Sequence, residues 1–318
     1  MTTKTLSPKT KGCCLVKIKN KMERKIIIGS GMAGLIWGYY NPEFKIITGE
    51  IGGQTEKCGF QLGPRFVESS EETKVFLNEL NIEFKEKEIN IGLYNKDKKC
   101  NCTDLFKKSY YLKSRGETKI KHNFLNHGGR EKMIILECNF GDVIRKLKDI
   151  CKDRFIIGSV KSFLINWIIL GDGEKIKYSE VVNTAPLDIF HKAYYSTPGD
   201  YEKKDITFAL LKGDFFDLGK NEFGYFINRD FHRLSKDGKN IVAEVLGEKS
   251  KDELIEIFGD SLLDFHIGKG LQLISSEKPN FPNRIILSGR YGSWDRDYKI
   301  EKVIKDAKEY KNQKVYKG

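Results

Sequence analysis

Gly29-Ser30-Gly31-Met32-Ala33-Gly34 forms a G-x-G-x-x-G turn, and an acid, Glu50, stands 21 positions after Gly29. Such a turn alone is weak, but this one follows an apolar run, opens a helical pattern and is succeeded by a glycine pair, Gly52-Gly53. The residue types have physical reasons. Gly29 permits a tight turn, Gly31 lets the backbone approach a pyrophosphate, and Gly34 lets helix pack on strand. Free N–H groups and the positive end of the helix dipole then favour an anion. Glu50 would accept hydrogen bonds from ribose hydroxyls and repel a 2′-phosphate, which disfavours NADP. A glycine-rich turn without a ligand is the bland alternative.

Other residues bear on partners. The net charge is +12, which suits a polyanion, but 45 of the 56 basic residues are Lys. Phosphate reading favours Arg, so nucleic acid is compatible with the charge and not favoured by it. Candidate anion-binding residues are Arg65, Lys113, Arg115, Arg130, Arg233 and Arg290, with solvated charge the alternative for each. Tyr110 to Gly116 interleaves aromatics with bases and could grip a nucleotide or form a surface hairpin. The seven Cys, an odd number without a secretory signal, fit a reducing, cytoplasmic compartment, or a host cytoplasm for a phage- or virus-encoded chain. Cys100-Asn101-Cys102 is a lone C-x-C, with His122 and His127 the nearest partners, and no metal site is expected from it.

These residues need elements to position them. A chain of 318 residues with 20 Phe and 14 Tyr can bury a sizeable core as one two-lobed domain or two ordinary ones. It has no apolar run long enough to span a membrane. Residues 1–22 read as a basic, flexible extension, and Met22 would serve as an initiator. Lys25 to Ile28 and Phe44 to Thr48 read as strands around a short helix that Asn41-Pro42 stops. Ser69 and Glu72 have capping-box spacing for a second helix. Asn81 to Lys121 looks irregular. Asn139 or Asp142 caps a third helix. Strands follow at Phe155 to Ile157, Phe163 to Leu170, Val181 to Asn183, Ile206 to Leu211, Phe223 to Ile227, Ile241 to Leu246 and Arg284 to Leu287. Helices are expected from Ser250, with a capping box to Glu253, and around Ile300 to Ala307.

Further motifs carry a resemblance. Gly52-Gly53-Gln54 with Gly59-Phe60-Gln61-Leu62-Gly63-Pro64-Arg65 resembles the second flavin motif of the flavin-containing amine oxidase superfamily. That group includes monoamine and polyamine oxidases, protoporphyrinogen oxidase, phytoene desaturases and UDP-galactopyranose mutase. Gln54 stands at the usual Arg position, and the loop after Glu50 is shorter than usual. Phe155 to Phe163 with Val181-Val182-Asn183-Thr184-Ala185-Pro186 is similar to the family's middle portion, where Val160 matches the valine that meets adenine. Leu287-Ser288-Gly289-Arg290-Tyr291-Gly292-Ser293-Trp294 looks like the closing flavin motif, in a form closest to the mutase and protoporphyrinogen oxidase branches. Phe223 to Ile227, His232-Arg233-Leu234-Ser235 and Glu244 resemble a substrate-domain stretch of those branches.

The resemblance implies FAD. Its binding set would be Gly29, Ser30, Gly31, Met32, Ala33, Gly34, Glu50, Gly52, Gly53, Gln54, Arg65, Val160, Gly289, Arg290 and Ile300. The last helix, starting near Ile300, would aim its N-terminus at the flavin C2 carbonyl. Tyr291 and Trp294 would lie near the flavin ring, with Arg290 a third catalytic candidate and core packing the alternative for both aromatics. The implied fold is α/β: a Rossmann-like FAD-binding domain, a parallel sheet with flanking helices, and an interleaved, reduced α+β substrate domain. The first would comprise 23–80, 130–190 and 275–318, the second 81–129 and 191–274. The implied function is an FAD-dependent oxidoreductase acting on a C–N or C–C bond of a small or nucleotide-like substrate. A mutase or lyase without net redox, on a nucleotide-linked substrate or a modified nucleic-acid base, is the alternative. A flavin-binding protein without turnover is a third.

Overall fold

The structure is a computed structural model that describes residues 23–53, 67–101, 103–115, 132–276, 280–295 and 298–315. In chain order the elements begin with β1 (Arg24–Ile28), α1 (Met32–Tyr40), β2 (Phe44–Thr48), β3 (Val67–Glu68), α2 (Glu71–Glu79), β4 (Phe84–Asn95), β5 (Lys98–Lys99), α3 (Asp104–Arg115) and β6 (Lys132–Cys138). Next come α4 (Phe140–Cys151), β7 (Phe155–Ile157), β8 (Val160–Leu164), β9 (Trp167–Leu170), β10 (Lys175–Asn183) and α5 (Leu187–Tyr195). The remainder is β11 (Tyr201–Leu211), β12 (Asn221–Ile227), β13 (Phe231–Asp237), β14 (Asn240–Leu246), α6 (Lys251–Phe258), β15 (Leu262–Ser276), β16 (Ile285–Leu287), α7 (Gly289–Gly292) and α8 (Ile300–Val315).

Among the described residues these form two sheets. The first runs β7-β2-β1-β10-β9-β8, with β16 also beside β10. β7, β2, β1, β10 and β16 are parallel, while β8, β9 and the start of β10 form an antiparallel meander. Both faces of the parallel part are covered, so its strands read as unbroken apolar runs. Ile27 and Ile46 pack under α1, α4 and α8 through Leu35, Trp37, Leu147 and Ile304. Ile26, Ile28 and Val181 face the other way, onto Leu187 and Phe190 of α5. This is the expected α/β arrangement.

The second sheet runs β15-β11-β14-β13-β12-β4-β6-β3, with β5 beside β4. One face packs Phe226, Leu234 and Ala243 against Leu254 and Phe258 of α6. On the other, Leu93 and Ile227 meet Phe106 and Tyr110 of α3. β3 and β6 lie within segments expected to belong with the cofactor-binding half, yet their hydrogen bonds tie them to this second sheet.

Several local expectations are corrected. Ser70, not Ser69, caps α2 by accepting from the Thr73 N–H; the Ser69 hydroxyl instead donates to Glu86 at 2.5 Å. The stretch read as irregular holds the 12-residue β4 and the 12-residue α3, so Tyr110 to Arg115 is helix, not hairpin. The run Phe163 to Leu170 is two strands folded at Ile165, which adopts a positive φ of 26°. Asn139 caps α4, accepting from the Gly141 N–H at 3.0 Å. The capping box between Ser250 and Glu253 is present. No described helix is long and apolar enough to cross a membrane.

Candidate functional site

The glycine turn sits at the carboxyl end of β1, where β1 passes into α1. Its three glycines differ in a way that assigns them roles. Gly29 has φ of +96°, and a β-carbon there would meet the Thr184 hydroxyl at 2.8 Å. A β-carbon on Gly34 would run into the Gly29 carbonyl, so helix and strand touch at this point. Gly31 differs from both: among the described residues nothing lies within 4 Å of where its β-carbon would be. Gly31 is the N-cap of α1, makes no side-chain cap bond, and no acid stands in the first turn. Among the described residues no side chain caps the opening N–H groups of α1. That is what an incoming anion needs.

Neighbouring segments brace this cradle. Ser30 Oγ donates to the Glu50 carbonyl at 2.9 Å, and Gly52 N–H donates back to the Ser30 carbonyl at 3.3 Å. Gly53 backs onto Gly31, a β-carbon there reaching 3.5 Å from the Gly31 Cα. Thr184, just beyond β10, donates to the Ile28 carbonyl at 2.8 Å. Asn183 donates to the Gly292 carbonyl at 3.2 Å, which ties α7 to the same strand end. Gly289 has φ of +75°, and a β-carbon there would meet that of Ala33 at 2.7 Å. Three stretches far apart in sequence, 29–34, 50–53 and 289–292, therefore converge on the start of α1. Ile300 packs into the same core as Met32 and Ala33. The Glu50 side chain is exposed at the end of β2. Val160 opens β8, just after Gly158, whose N–H donates to the Thr48 carbonyl at 2.9 Å. Gln54, Arg65 and the motif Gly59 to Arg65 lie outside the described residues, as do Arg130 and the Arg115 side chain.

The catalytic candidates part company. Trp294 is buried in the second core against Tyr201, with ring centroids 5.0 Å apart. Arg290 is exposed. Tyr291 packs, partly buried, against the same core as Trp294. Burial raises its pKa, Arg290 pulls it down, and the Glu244 carboxylate raises it again. Glu244 therefore stands within electrostatic reach of Tyr291 on α7.

Around Glu244 the second sheet carries a cluster that the linear sequence does not announce. Glu244 on β14 lies opposite Arg233 on β13. Arg233 donates through Nε at 2.8 Å, and through Nη2, to one carboxylate oxygen. His232 Nε2 lies 3.2 Å from the other oxygen. Burial opposes the charge on Glu244, but Arg233 and His232 outweigh it and hold its pKa at about 2. Tyr225 of β12 lies 6.0 Å from the Arg233 guanidinium, and Tyr110 of α3 lies 6.1 Å from the His232 ring. Lys113 of α3 donates to the carbonyls of Phe226 at 3.2 Å, Phe231 at 2.6 Å and Arg229. It bolts α3 onto the β12–β13 hairpin, and burial pushes its pKa down to about 8. Farther along the sheet a groove of ≈ 560 Å³ is lined by Ile89, Ile135, Phe223 and Ser235, with Asn139 and Gly141 at the start of α4.

No protein-family model and no curated protein matches this chain. Solved structures do. Reduced UDP-galactopyranose mutase superposes with a TM-score of 0.67 at 12% identity, covering 93% of this chain and 94% of that one. Putrescine oxidase bound to putrescine gives a TM-score of 0.61 at 11% identity, covering 92% and 99%. A fatty acid isomerase from P. acnes that produces CLA gives 0.60 at 11% identity, covering 92% and 98%. Over almost its whole length, the chain has the fold that these three proteins share.

Proposed function

We propose that this chain is an FAD-dependent enzyme of the flavin amine oxidase superfamily, acting on a small or nucleotide-like substrate held between its two sheets. The observation that carries this reading is the open space at Gly31 over the uncapped start of α1. A turn that merely joined strand to helix would have no need to keep that position bare. The residues fit the group. The α1 N–H groups and Gly289 would hold the pyrophosphate, Glu50 the ribose hydroxyls, and Val160 would lie near the adenine. When bound, FAD would supply an acceptor for an electron pair from a C–N or C–C bond. The protein's own residues orient the reactants. Tyr291 of α7 lies within electrostatic reach of Glu244, and α3 with Tyr110 covers the face of the second sheet that holds Leu93 and Ile227.

A second reading is a mutase or lyase without net redox. It is favoured by the Gly-Arg-Tyr-x-x-Trp form of the α7 segment, which resembles the mutase branch, and by Arg233, whose guanidinium is hydrogen-bonded to the buried Glu244. The protein purified from cells should be yellow. A colourless protein that takes up no added FAD would overturn both readings. Under anaerobic conditions, an amine that bleaches the oxidised protein supports the oxidoreductase, whereas turnover only after dithionite reduction supports the mutase or lyase.

A further inference from the structure

Glu244 is 1% exposed and has no oxygen to spare. Arg233 occupies one and His232 the other. Two groups of the cluster are left with capacity. Arg233 keeps Nη1 without a hydrogen-bond partner among the described residues, and its side chain is 27% exposed, beside the Tyr225 ring. His232 is buried, with Nε2 toward Glu244 and Nδ1 without a partner. If Nε2 carries the proton that Glu244 accepts, Nδ1 is a bare acceptor and the imidazole is neutral. The groups facing this imidazole are Glu244 from β14, Arg233 from β13, and Lys113 and Tyr110 from α3. Asp230 faces Lys113 from an exposed turn. Around the imidazole, two partly buried cations thus stand against one buried carboxylate.

We propose that Arg233 anchors an oxyanion, a phosphate or a carboxylate, carried by the substrate, and that His232 is the positioning residue of that anchor, acting through Glu244. A carboxylate held by one partner can rotate about its own axis. Held on both oxygens, by His232 and Arg233 at the irregularity in β13, it cannot, and the planar guanidinium hydrogen-bonded to it is fixed with it. The remaining N–H groups of Arg233 are then directed before a ligand arrives, which lowers the ordering cost of binding. A neutral imidazole does this without adding charge, whereas an imidazolium would bury a third cation and an N–H with no acceptor. The substrate class named here rests on the flavin reading for its reaction, but not for its recognition.

The test uses the full-length protein as purified, with inorganic phosphate and acetate as probes and thermal unfolding as the readout. A saturable rise in Tm is expected with at least one probe, and the one that binds more tightly identifies the oxyanion. In the double variant Arg233→Met with Glu244→Gln, which removes one charge of each sign together, affinity should fall at least tenfold. His232→Gln retains an N–H donor at the right distance and should keep affinity within about twofold, while His232→Leu should lose about tenfold. Bound flavin should be unchanged in all three. No Tm response to either probe, or equal affinity in the double variant, overturns the anchor. A His232→Gln protein as weak as His232→Leu overturns the positioning role. Because the thermal shift needs no flavin, a colourless protein that still responds to the probe through Arg233 would sink the cofactor reading and leave this one standing.

Discussion

At Gly31 the added β-carbon would point into open space, whereas at Gly34 it would strike the Gly29 carbonyl. The two glycines should therefore fail differently when substituted. Gly31 has φ of −68°, which any residue adopts, so Gly31→Val should fold with little loss of stability yet retain about tenfold less FAD, as measured by the visible absorbance of the purified protein. Gly34→Ala should instead destabilise the fold by about 1–3 kcal/mol through overpacking, read by denaturant unfolding. If Gly31→Val kept its flavin, the pyrophosphate would lie elsewhere. Glu50→Ala should only weaken FAD, by about 1.5–3 kcal/mol for a hydrogen bond to a charged group, which a titration of the apoprotein would measure. The turn at Gly29 and the close packing at Gly34 were legible because each obeys a local rule. The partnership of Arg233, Glu244 and His232 was not, because the strand register brings 233 and 244 together and nothing in residue spacing announces it.

α3 is held to the second sheet by its apolar face and by one side chain, Lys113, which reaches three carbonyls of the β12–β13 hairpin. Lys113→Met keeps the stem and loses the ammonium. It should cost about 1–3 kcal/mol by denaturant unfolding and raise proteolysis within α3. The cluster beneath α3 also sets a pH dependence. Burial, against the pull of Glu244, lowers the His232 pKa from 6.5, and Arg233 and Lys113 lower it further. The Glu244 pKa falls from 4.5 to about 2. For both groups the unfolded chain binds protons more readily than the folded one, so stability falls as pH falls. The loss should begin below pH 6.5 through His232, and steepen from 4.5 toward about 2 as Glu244 is protonated. In His232→Gln the slope between pH 6.5 and 5 should flatten; an unchanged slope would mean that His232 does not titrate as described. The capped helix α6 and the buried strands of the first sheet were visible in sequence, since a capping box and unbroken apolar runs are local patterns. β13, β15 and α3 were missed. β13 and α3 mix buried and exposed charged residues, and tertiary pairing rather than propensity decides their form.

For the whole molecule, a cofactor lying where 29–34, 50–53 and 289–292 converge would join segments from both ends of the chain. Saturation at about 100 times Kd contributes about 2.7 kcal/mol. Stripping FAD should therefore lower Tm by about 5 °C for a chain of this size, and re-addition should restore it. A stripped protein with unchanged Tm would argue against this site. The sequence by itself determined the βαβ unit β1-α1-β2 and its glycine turn, because a tight strand-to-helix turn constrains backbone conformation and glycine reports such constraints directly. The tertiary structure alone decided that Gly31 is the bare position among the described residues, that Tyr291 comes within electrostatic reach of Glu244, and that Arg233 has donors to spare. Those facts depend on the register of β13 against β14 and on the placing of α7 and α3, which are set by burial between distant segments.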